Sequence, residues 1–290
     1  MSSPWHHNRR QKWRKMKSRE SPEAEALLKS RERWCMNACS RYINRKSLKG
    51  EVWTLHDETG EISALAVYAR RGLLPVLCGQ NHVPPPHFLN SLFGSAPIYS
   101  LQGRKDDVLI MEAEMEKIGL FATEKANFDL MCIDKPPDGF RSSGPTGLVI
   151  RKPKFADMDS LVALHAEYEK EEVLPVGRKL NPASSRMNME KIFSKEQILV
   201  AELDGRVIGK INTNAVTFTR YQVGGVYVHP AYRGLGIARR MAGEFTTGLV
   251  AQGRGISLFV KKSNLAARRV YQGIGFEILD NYRINYYHKG

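Results

Sequence analysis

The spacing of apolar residues in the second half of the chain alternates between helical and strand periods. Apolar positions three and four apart predict a helix over residues 157–172, with Asp157 as its cap. A second helix is expected from Asn181-Pro182, a capping residue followed by a first-turn proline. Alternating positions then predict three strands, which are residues 197–202, 206–213 and 222–228.

The pattern continues to the carboxy terminus with further elements of both kinds. The expected elements are a helix over residues 236–252, a strand over 256–260, a helix over 264–272 and a pair of strands near Phe276 and over 282–288. Helices interspersed with strands in this order predict an α/β domain over residues 148–290, with a mixed central sheet flanked by helices.

The first half of the chain predicts a smaller α+β domain over residues 21–134. The expected elements are a helix over 23–42, a hairpin of strands 51–57 and 61–70, a strand over 73–78, a helix over 106–118 and a strand over 127–133. We find no catalytic constellation in this half and no convincing internal sequence repeat. The Pro-, Gly- and Ser-rich residues 135–147 are predicted to be a linker between the two domains.

The first 20 residues are strongly basic. They contain seven Lys or Arg and one Glu, in a chain of net charge +14. Two interpretations stay open for this tail. It is either a flexible, solubilising segment or a basic arm that binds nucleic acid or an anionic membrane surface.

Composition limits the location and the metal content that we expect of this protein. The sequence has no run of about 18 apolar residues and no apolar signal segment at its start, so we expect no membrane span and a cytoplasmic location. Its cysteines fit no metal template, so we expect buried thiols and no metal; they are Cys35, Cys39, Cys78 and Cys132. The sequence does not indicate an oligomeric state.

A glycine-containing turn joins the strand over 222–228 to the following helix. Gly234 and Gly236 allow the backbone to approach a ligand closely, and the turn ends at a helix amino terminus, which favours anions. The spacing is neither that of a Walker A loop nor that of a dinucleotide-binding turn. The turn alone therefore predicts an anion site of modest specificity.

Two motifs in this region resemble those of the GNAT N-acyltransferase superfamily. Residues 233–238, Arg-Gly-Leu-Gly-Ile-Ala, resemble the first signature, in which Arg or Gln precedes Gly-x-Gly/Ala by two positions. Residues 264–276 resemble the second at its fixed positions, which are Asn264, Ala267, Tyr271, Gly275 and Phe276. The chain as a whole is similar to two-part proteins in which a degenerate GNAT-like domain precedes an intact one.

The resemblance implies acetyl-CoA as acyl donor and a role for each matching residue. It implies that backbone amides of the turn bind the pyrophosphate, that the preceding strand pairs with the pantetheine arm, and that the Val228 amide contacts the thioester carbonyl. Asn264 is the implied pantetheine partner and Tyr271 the implied acid that protonates the thiolate. The expected cofactor-binding residues are Val226, Tyr227, Val228, Arg233, Gly234, Leu235, Gly236, Ile237, Ala238, Arg239 and Asn264.

The acceptor half of the site is less well defined by the sequence. Many family members place a Glu on the strand before the turn, but no carboxylate occurs between Asp204 and Glu244. Glu171 and Glu172, at the end of the first helix of this domain, are the candidate general bases, unless they belong to a solvated helix end. If their acidic segment faces the cleft, it favours a cationic acceptor, and Tyr282, Tyr286 and Tyr287 are a candidate aromatic wall.

The expected function is transfer of an acetyl group from acetyl-CoA to a primary amine by direct attack in a ternary complex. The amine could belong to a small molecule, a peptide or a protein. The alternative is a catalytically weak sensor of acyl-CoA or a docking protein, with the basic tail on nucleic acid. The missing strand carboxylate favours this alternative, and the intact Asn264 and Tyr271 favour the enzyme.

Overall fold

We describe a computed structural model covering residues 13–79, 82, 84–93, 98–137, 140, 144–174 and 177–287. Within these ranges the chain divides into two compact units. The amino-terminal unit contains the described residues up to Asn127 together with those from Asn281 onward, and the carboxy-terminal unit is Phe128–Asp280. Each unit therefore has its own set of contacts and is described separately.

The amino-terminal unit is a twisted sheet with helices. Its elements are β1 (Arg14–Lys15), α1 (Ser21–Ser30), α2 (Met36–Ile43), β2 (Glu51–His56), β3 (Ile62–Ala69), β4 (Gly72–Leu77), α3 (Pro86–Phe93), β5 (Ser100–Arg104), α4 (Lys105–Lys117) and the first residues of β6 (Glu124–Ile133). Strands β1 to β4 pair in order and antiparallel, β4 and β5 are parallel, and residues 282–286 of the last strand pair antiparallel with β5.

The carboxy-terminal unit, like the amino-terminal one, is a sheet with helices. Its elements after β6 are β7 (Val149–Arg151), α5 (Met158–Tyr168), a π-helix (Glu169–Val173), α6 (Pro182–Lys195), β8 (Ile198–Leu203), β9 (Arg206–Val216), β10 (Arg220–Val228), α7 (Ile237–Val250), β11 (Gly255–Lys261), α8 (Leu265–Gln272) and β12 (Glu277–Tyr286). Strands β7 to β10 pair in order and antiparallel, β10 and β11 are parallel, and residues 128–133 of β6 pair antiparallel with β11.

The core of the carboxy-terminal unit follows from helical spacing on α7. Met241, Phe245 and Leu249 recur every four residues, so they lie on one face of the helix and are buried. They share a hydrophobic cluster with Val223 of β10 and Leu258 of β11. This packing holds α7 against the two parallel strands, so the start of the helix lies near their carboxyl ends.

The α/β class and the mixed sheet flanked by helices agree with the prediction for the second half. Several elements differ from the prediction. The helix over 23–42 is two helices, because residues 31–34 form turns. The two final strands are one strand, β12, which continues through the turn-prone pair Asp280-Asn281. The short strand β7 was not predicted, and neither were β1, α3 and β5 of the amino-terminal unit.

The compact units also divide the sequence at different positions from the predicted domains. Residues 128–147 lie in the carboxy-terminal unit, and residues from 281 onward lie in the amino-terminal unit. Within the predicted linker, the Phe140 ring packs so closely over Gly243 of α7 that a Cβ there would lie 2.1 Å from it. Whether the predicted ranges fold independently stays a prediction.

Part of the basic tail is ordered. Trp13 is buried and its ring stacks on Phe88 with centroids 5.2 Å apart, while Arg14 pairs with Glu20. The flexible tail therefore stays a prediction only for residues 1–12, which lie outside the described residues. In the part of the chain that is described, no helix has the length and apolar character needed to cross a bilayer.

Candidate active site

The carboxy-terminal unit has a gap between its two parallel strands. Pairing joins residues 220–223 of β10 to residues 255–258 of β11, and the strands continue to Val228 and Lys261. A cavity of about 100 Å³ is lined by both strand ends, including Gly225 and Phe259. The sheet therefore opens at the carboxyl ends of its parallel strands, where α/β sheets commonly bind ligands.

The turn between β10 and α7 contains two glycines in the left-handed conformation. The φ angles of Gly234 and Gly236 are 82° and 77°, values that residues with a Cβ rarely adopt. Gly236 is the N-cap of α7. The first N–H groups of a helix have no acceptor within it, and the helix dipole adds positive potential there. The turn therefore presents backbone donors suited to an anion.

A cleft of about 390 Å³ is lined by the turn, the end of β10, and α8. Most of the site residues expected from the sequence line this cleft. They are Glu171, Glu172, Val226, Tyr227, Val228, Arg233, Gly234, Gly236, Ala238, Arg239, Asn264 and Tyr271. Two other predicted cofactor residues are placed differently. Leu235 is 48% exposed, and Ile237 is buried in the hydrophobic core, where it anchors the first turn of α7.

Asn264 has two roles in the structure. Its Oδ1 accepts a hydrogen bond from the Ala267 backbone N–H at 3.0 Å, so it caps α8. Its Nδ2 donates to Glu172 Oε1 at 3.0 Å. Because the cap fixes the orientation of the amide, the remaining donor is held on the cleft side.

Tyr271 lies on α8 and contacts the cleft, with only 8% of its side chain exposed. Burial raises the pKa of its hydroxyl well above the ordinary value, and Tyr168 and Glu172 raise that pKa further. The hydroxyl is therefore protonated at neutral pH and available as a proton donor.

Comparison with known proteins agrees with this geometry. Residues 161–276, from α5 to the end of the second motif, match the family model described as the acetyltransferase (GNAT) family. Residues 161–276 are a GNAT domain. A search of curated protein sequences returns no relative.

Solved structures match the fold over nearly the whole chain. A Drosophila protein matches with a TM-score of 0.65 and 12% identity, covering 95% of this chain and 98% of that one. A GCN5-related N-acetyltransferase from Sphaerobacter thermophilus matches at 0.58 and 18%, covering 94% of each chain. A tandem GNAT protein from the clavulanic acid biosynthesis pathway matches at 0.57 and 10%, covering 96% and 99%. The two-part architecture is therefore that of known GNAT folds.

The two candidate bases lie on the π-helix at one wall of the GNAT cleft. Glu171 accepts hydrogen bonds from Tyr227 Oη at 2.6 Å and Arg233 Nη2 at 2.9 Å. Burial acts to raise the pKa of Glu171, but these two hydrogen bonds outweigh it and lower the pKa below its ordinary value. Glu172 accepts from Asn264, and Lys261 Nζ lies 3.6 Å from its carboxylate. Both carboxylates thus contact residues predicted to bind the cofactor or to flank it.

Basic side chains near the GNAT cleft differ in their contacts. Arg239 lines the cleft and lies over the Phe140 ring at 5.7 Å. Arg240 instead pairs with Glu244 one helical turn away, at 2.9 Å. Of these two residues at the start of α7, Arg239 is therefore the one placed to attract an anionic ligand.

The proposed aromatic wall belongs to the amino-terminal unit. Tyr282 is 1% exposed and its hydroxyl accepts a hydrogen bond from Asn37 Nδ2 at 2.9 Å. Tyr287 is part of that unit's hydrophobic core, and Tyr286 contacts the Tyr99 ring. Burial of Tyr282 agrees with the alternation of side chains along a strand, because one face of the final strand has to pack in a core.

Sequence reasoning missed a buried polar cluster around Lys210 of β9. Lys210 and Asn212 are both fully buried, although they occupy alternate positions on one face of a strand with apolar neighbours. Polar residues at two successive inward positions are the signal that could have identified the cluster.

Proposed function

We propose that the GNAT domain transfers an acetyl group from acetyl-CoA to a primary amine, by direct attack in a ternary complex. The observation that carries the proposal is the continuity of three features in one cleft: the gap between β10 and β11, the two-glycine turn of α7, and the pair Asn264 and Tyr271 on α8. This combination fits a ligand with a pyrophosphate at one end and a thioester at the other.

The proposed donor contacts follow the cleft from the turn to the gap. Backbone N–H groups of residues 233–238 bind the pyrophosphate, with Arg239 adding charge. The end of β10 pairs with the pantetheine arm, which also accepts a hydrogen bond from Asn264. The Val228 amide stabilises the oxyanion that develops on the thioester carbonyl during attack. The Tyr271 hydroxyl then protonates the departing thiolate.

The carboxylates of the π-helix affect the binding of both acetyl-CoA and the acceptor amine. Glu171 and Glu172 hold Arg233 and Asn264 by hydrogen bonds, so acetyl-CoA has to replace or share these contacts. Their negative charge favours a cationic acceptor, such as a polyamine or a lysine side chain. The lowered pKa of Glu171 makes that carboxylate a weak proton acceptor. Of the two candidate bases expected from the sequence, Glu172 therefore fits that role better than Glu171.

Direct attack is favoured over a covalent acetyl-cysteine. Cys132 of β6 is the cysteine of the carboxy-terminal unit, and it is 2% exposed. It faces Ser257 in the paired sheet rather than lining the described cleft. A nucleophilic thiol has to reach the thioester, and this one is enclosed in the core.

The test is acetyl-CoA turnover with a panel of alkylamines, polyamines, lysine peptides and peptide amino termini. Release of free CoA, together with a product heavier by one acetyl group, supports the proposal. Tight CoA binding without transfer to any amine would instead favour the sensor function. A cytoplasmic location and nucleic acid binding by residues 1–12 stay predictions.

A further inference from the structure

Lys210 is a fully buried lysine whose hydrogen-bond acceptors are neutral. Its Nζ donates to Asn212 Oδ1 at 3.0 Å and to the Gly225 carbonyl at 2.9 Å, and it lies 5.0 Å from the centre of the Tyr168 ring. Burying an ammonium against neutral acceptors is costly, since water solvates the charge far better. Such a residue contributes little to stability, so its location suggests a role in chemistry.

A β-bulge brings this lysine to the wall of the gap. The pairing of β10 with β9 shifts register between Gly224 and Tyr227, and Gly225 has a φ of 59°. A Cβ on Gly225 would lie 2.1 Å from Asn212 Oδ1 and 2.9 Å from Lys210 Nζ. Position 225 therefore has to be glycine, because a larger residue would collide with the polar side chains of β9 at the bulge. Bulges often redirect groups next to active sites.

Two of the groups that contact Lys210 also line the gap between the parallel strands. Gly225 and Tyr168 line the cavity between β10 and β11, as do Asn264 and Tyr271. Lys210 thus lies directly behind the wall of the gap, separated from it by the Gly225 carbonyl. On β10 itself, this part of the strand carries glycine where a carboxylate would otherwise be expected.

The titratable groups around Lys210 are His165 and Tyr168 of α5, Glu169 of the π-helix and Tyr227, its cross-strand neighbour on β10. Burial lowers the pKa of Lys210 to about 7, and Glu169 opposes this shift. Burial also lowers the pKa of His165, with Lys210 lowering it further, so this imidazole is neutral at pH 7.

Burial raises the pKa of Tyr168 to about 12, and burial with the Glu171 hydrogen bond does the same for Tyr227. Both phenols therefore keep their protons near neutral pH. The Lys210 amine is consequently the group of this cluster that exchanges a proton in that range.

We propose that the neutral amine of Lys210 accepts the proton that the acceptor ammonium loses before attack, through one water that lies beside the Gly225 carbonyl and donates its own hydrogen bond to the Lys210 nitrogen. The inference rests on the amine acetylation proposed above. The freed amine forms the N–C bond to the acetyl carbonyl as the C–S bond breaks, and its second proton goes to the thiolate through Tyr271. The Lys210 ammonium then releases its proton to solvent before the next turnover.

The experiment compares two acceptors that differ in charge. One is the alkylamine that the wild-type protein acetylates fastest, and the other is its analogue with fluorines beside the amino group, which is uncharged at pH 7. Lys210→Met should lower kcat/KM for the ammonium acceptor by about 100-fold or more, the typical contribution of a general base. The uncharged analogue should lose at most a few-fold, because it has no proton to give up before attack.

Two variants and one direct measurement separate chemistry from structure. Lys210→Arg keeps a buried cation but cannot accept a proton, so it should show the same selective loss. Lys195→Met, an exposed site at the end of α6, should leave both acceptors unaffected. In wild-type protein with ¹³C-labelled lysine, the Lys210 side-chain resonance should titrate near pH 7. A resonance that remains that of an ammonium to pH 9 would overturn the inference.

The outcomes distinguish this inference from the proposed function. If the wild-type protein transfers acetyl groups but Lys210→Met and Lys210→Arg lose both acceptors equally, only the role of Lys210 is refuted. A selective loss in Glu172→Gln rather than in the Lys210 variants would also refute it, by assigning the proton to Glu172. Absence of transfer to any amine by the wild type would refute the proposed function and this inference together.

Discussion

The two units of the chain have the same order of elements but different chemistry where their parallel strands end. Each runs strand, two helices, three strands, helix, strand, helix, strand. In the carboxy-terminal unit the third of the three strands leads into the two-glycine turn of α7. In the amino-terminal unit the equivalent connection, from β4 to α3, contains Pro84-Pro85 and has no Gly-x-Gly sequence.

The amino-terminal unit also has a cavity at the end of its parallel strands, of about 250 Å³. It is lined by Leu77 and Cys78 at the end of β4, by Arg104 at the end of β5 and by Asp107 in the first turn of α4. The Asp107 carboxylate accepts a hydrogen bond from the Leu77 backbone N–H at 3.2 Å. A strand-end donor is thus bonded to an internal carboxylate, which would also repel an anionic cofactor.

In both units the fold leaves a cavity at the ends of the parallel strands, and a few residues determine the chemistry of that cavity. Among the residues described, the two-glycine turn and the Asn264 donor occur in the carboxy-terminal unit. Function therefore depends on the residues placed at the site rather than on the fold alone.

The largest effect that tests this difference is expected from Gly236→Val. A residue with a Cβ in the left-handed conformation costs about 1–2 kcal/mol, and a change of about 1.4 kcal/mol is tenfold in affinity. We expect CoA affinity to fall at least tenfold, as measured by calorimetric titration. The matched substitution in the other unit, Gly79→Val, has room for a Cβ, whose nearest neighbour is His82 at 3.7 Å. It should leave CoA affinity unchanged.

Equal CoA affinities for these two glycine variants would show that the turn of α7 is not the pyrophosphate site. A thermal melt of each variant checks that it folds. If Gly236→Val proves unstable, Gly236→Ala can replace it in the test. Its side chain is smaller but has to adopt the same φ, so it should also weaken CoA binding.

A smaller effect is expected from Tyr271→Phe, which removes the proposed acid. A free thiol has a pKa of about 8.5, so loss of the proton donor should lower kcat at pH 7 by roughly tenfold. CoA affinity should not change. In the amino-terminal unit, Tyr282→Phe also removes a buried tyrosine hydroxyl, and it should reduce stability by about 1 kcal/mol without changing kcat. Similar kcat values for all three proteins would remove Tyr271 from the mechanism.

Sequence was sufficient to predict that most of the proposed cofactor residues lie around one cleft, because the signals for them are local. The glycines of the turn and the capping Asn264 are set by neighbouring residues, so their spacing predicts their geometry. Lys210 could not be placed in the same way, because its contact with Gly225 depends on the register of β9 with β10 and on a bulge between them. Tyr282 was misplaced for a related reason, since its strand pairs with β5, about 180 residues earlier.

One repeated segment could have revealed the common architecture of the units. Arg14 and Glu20 begin and end the sequence Arg-Lys-x-Lys-x-x-acid, and Arg151 and Asp157 do so again. Each pair forms a bidentate salt bridge after a short edge strand. The hydrogen bonds from the arginine are the main cause that lowers the pKa of each acid, to about 2 for Glu20. The repeat is short, but its two copies fold alike.

Of the two similar units, we expect the carboxy-terminal one alone to bind CoA. Calorimetric titration of the full chain with CoA measures this directly, through the number of molecules bound per chain. We expect one CoA per chain for the wild type and for Gly79→Val, with binding weakened in Gly236→Val. Two CoA molecules per chain, or one whose affinity is unchanged in Gly236→Val, would contradict it.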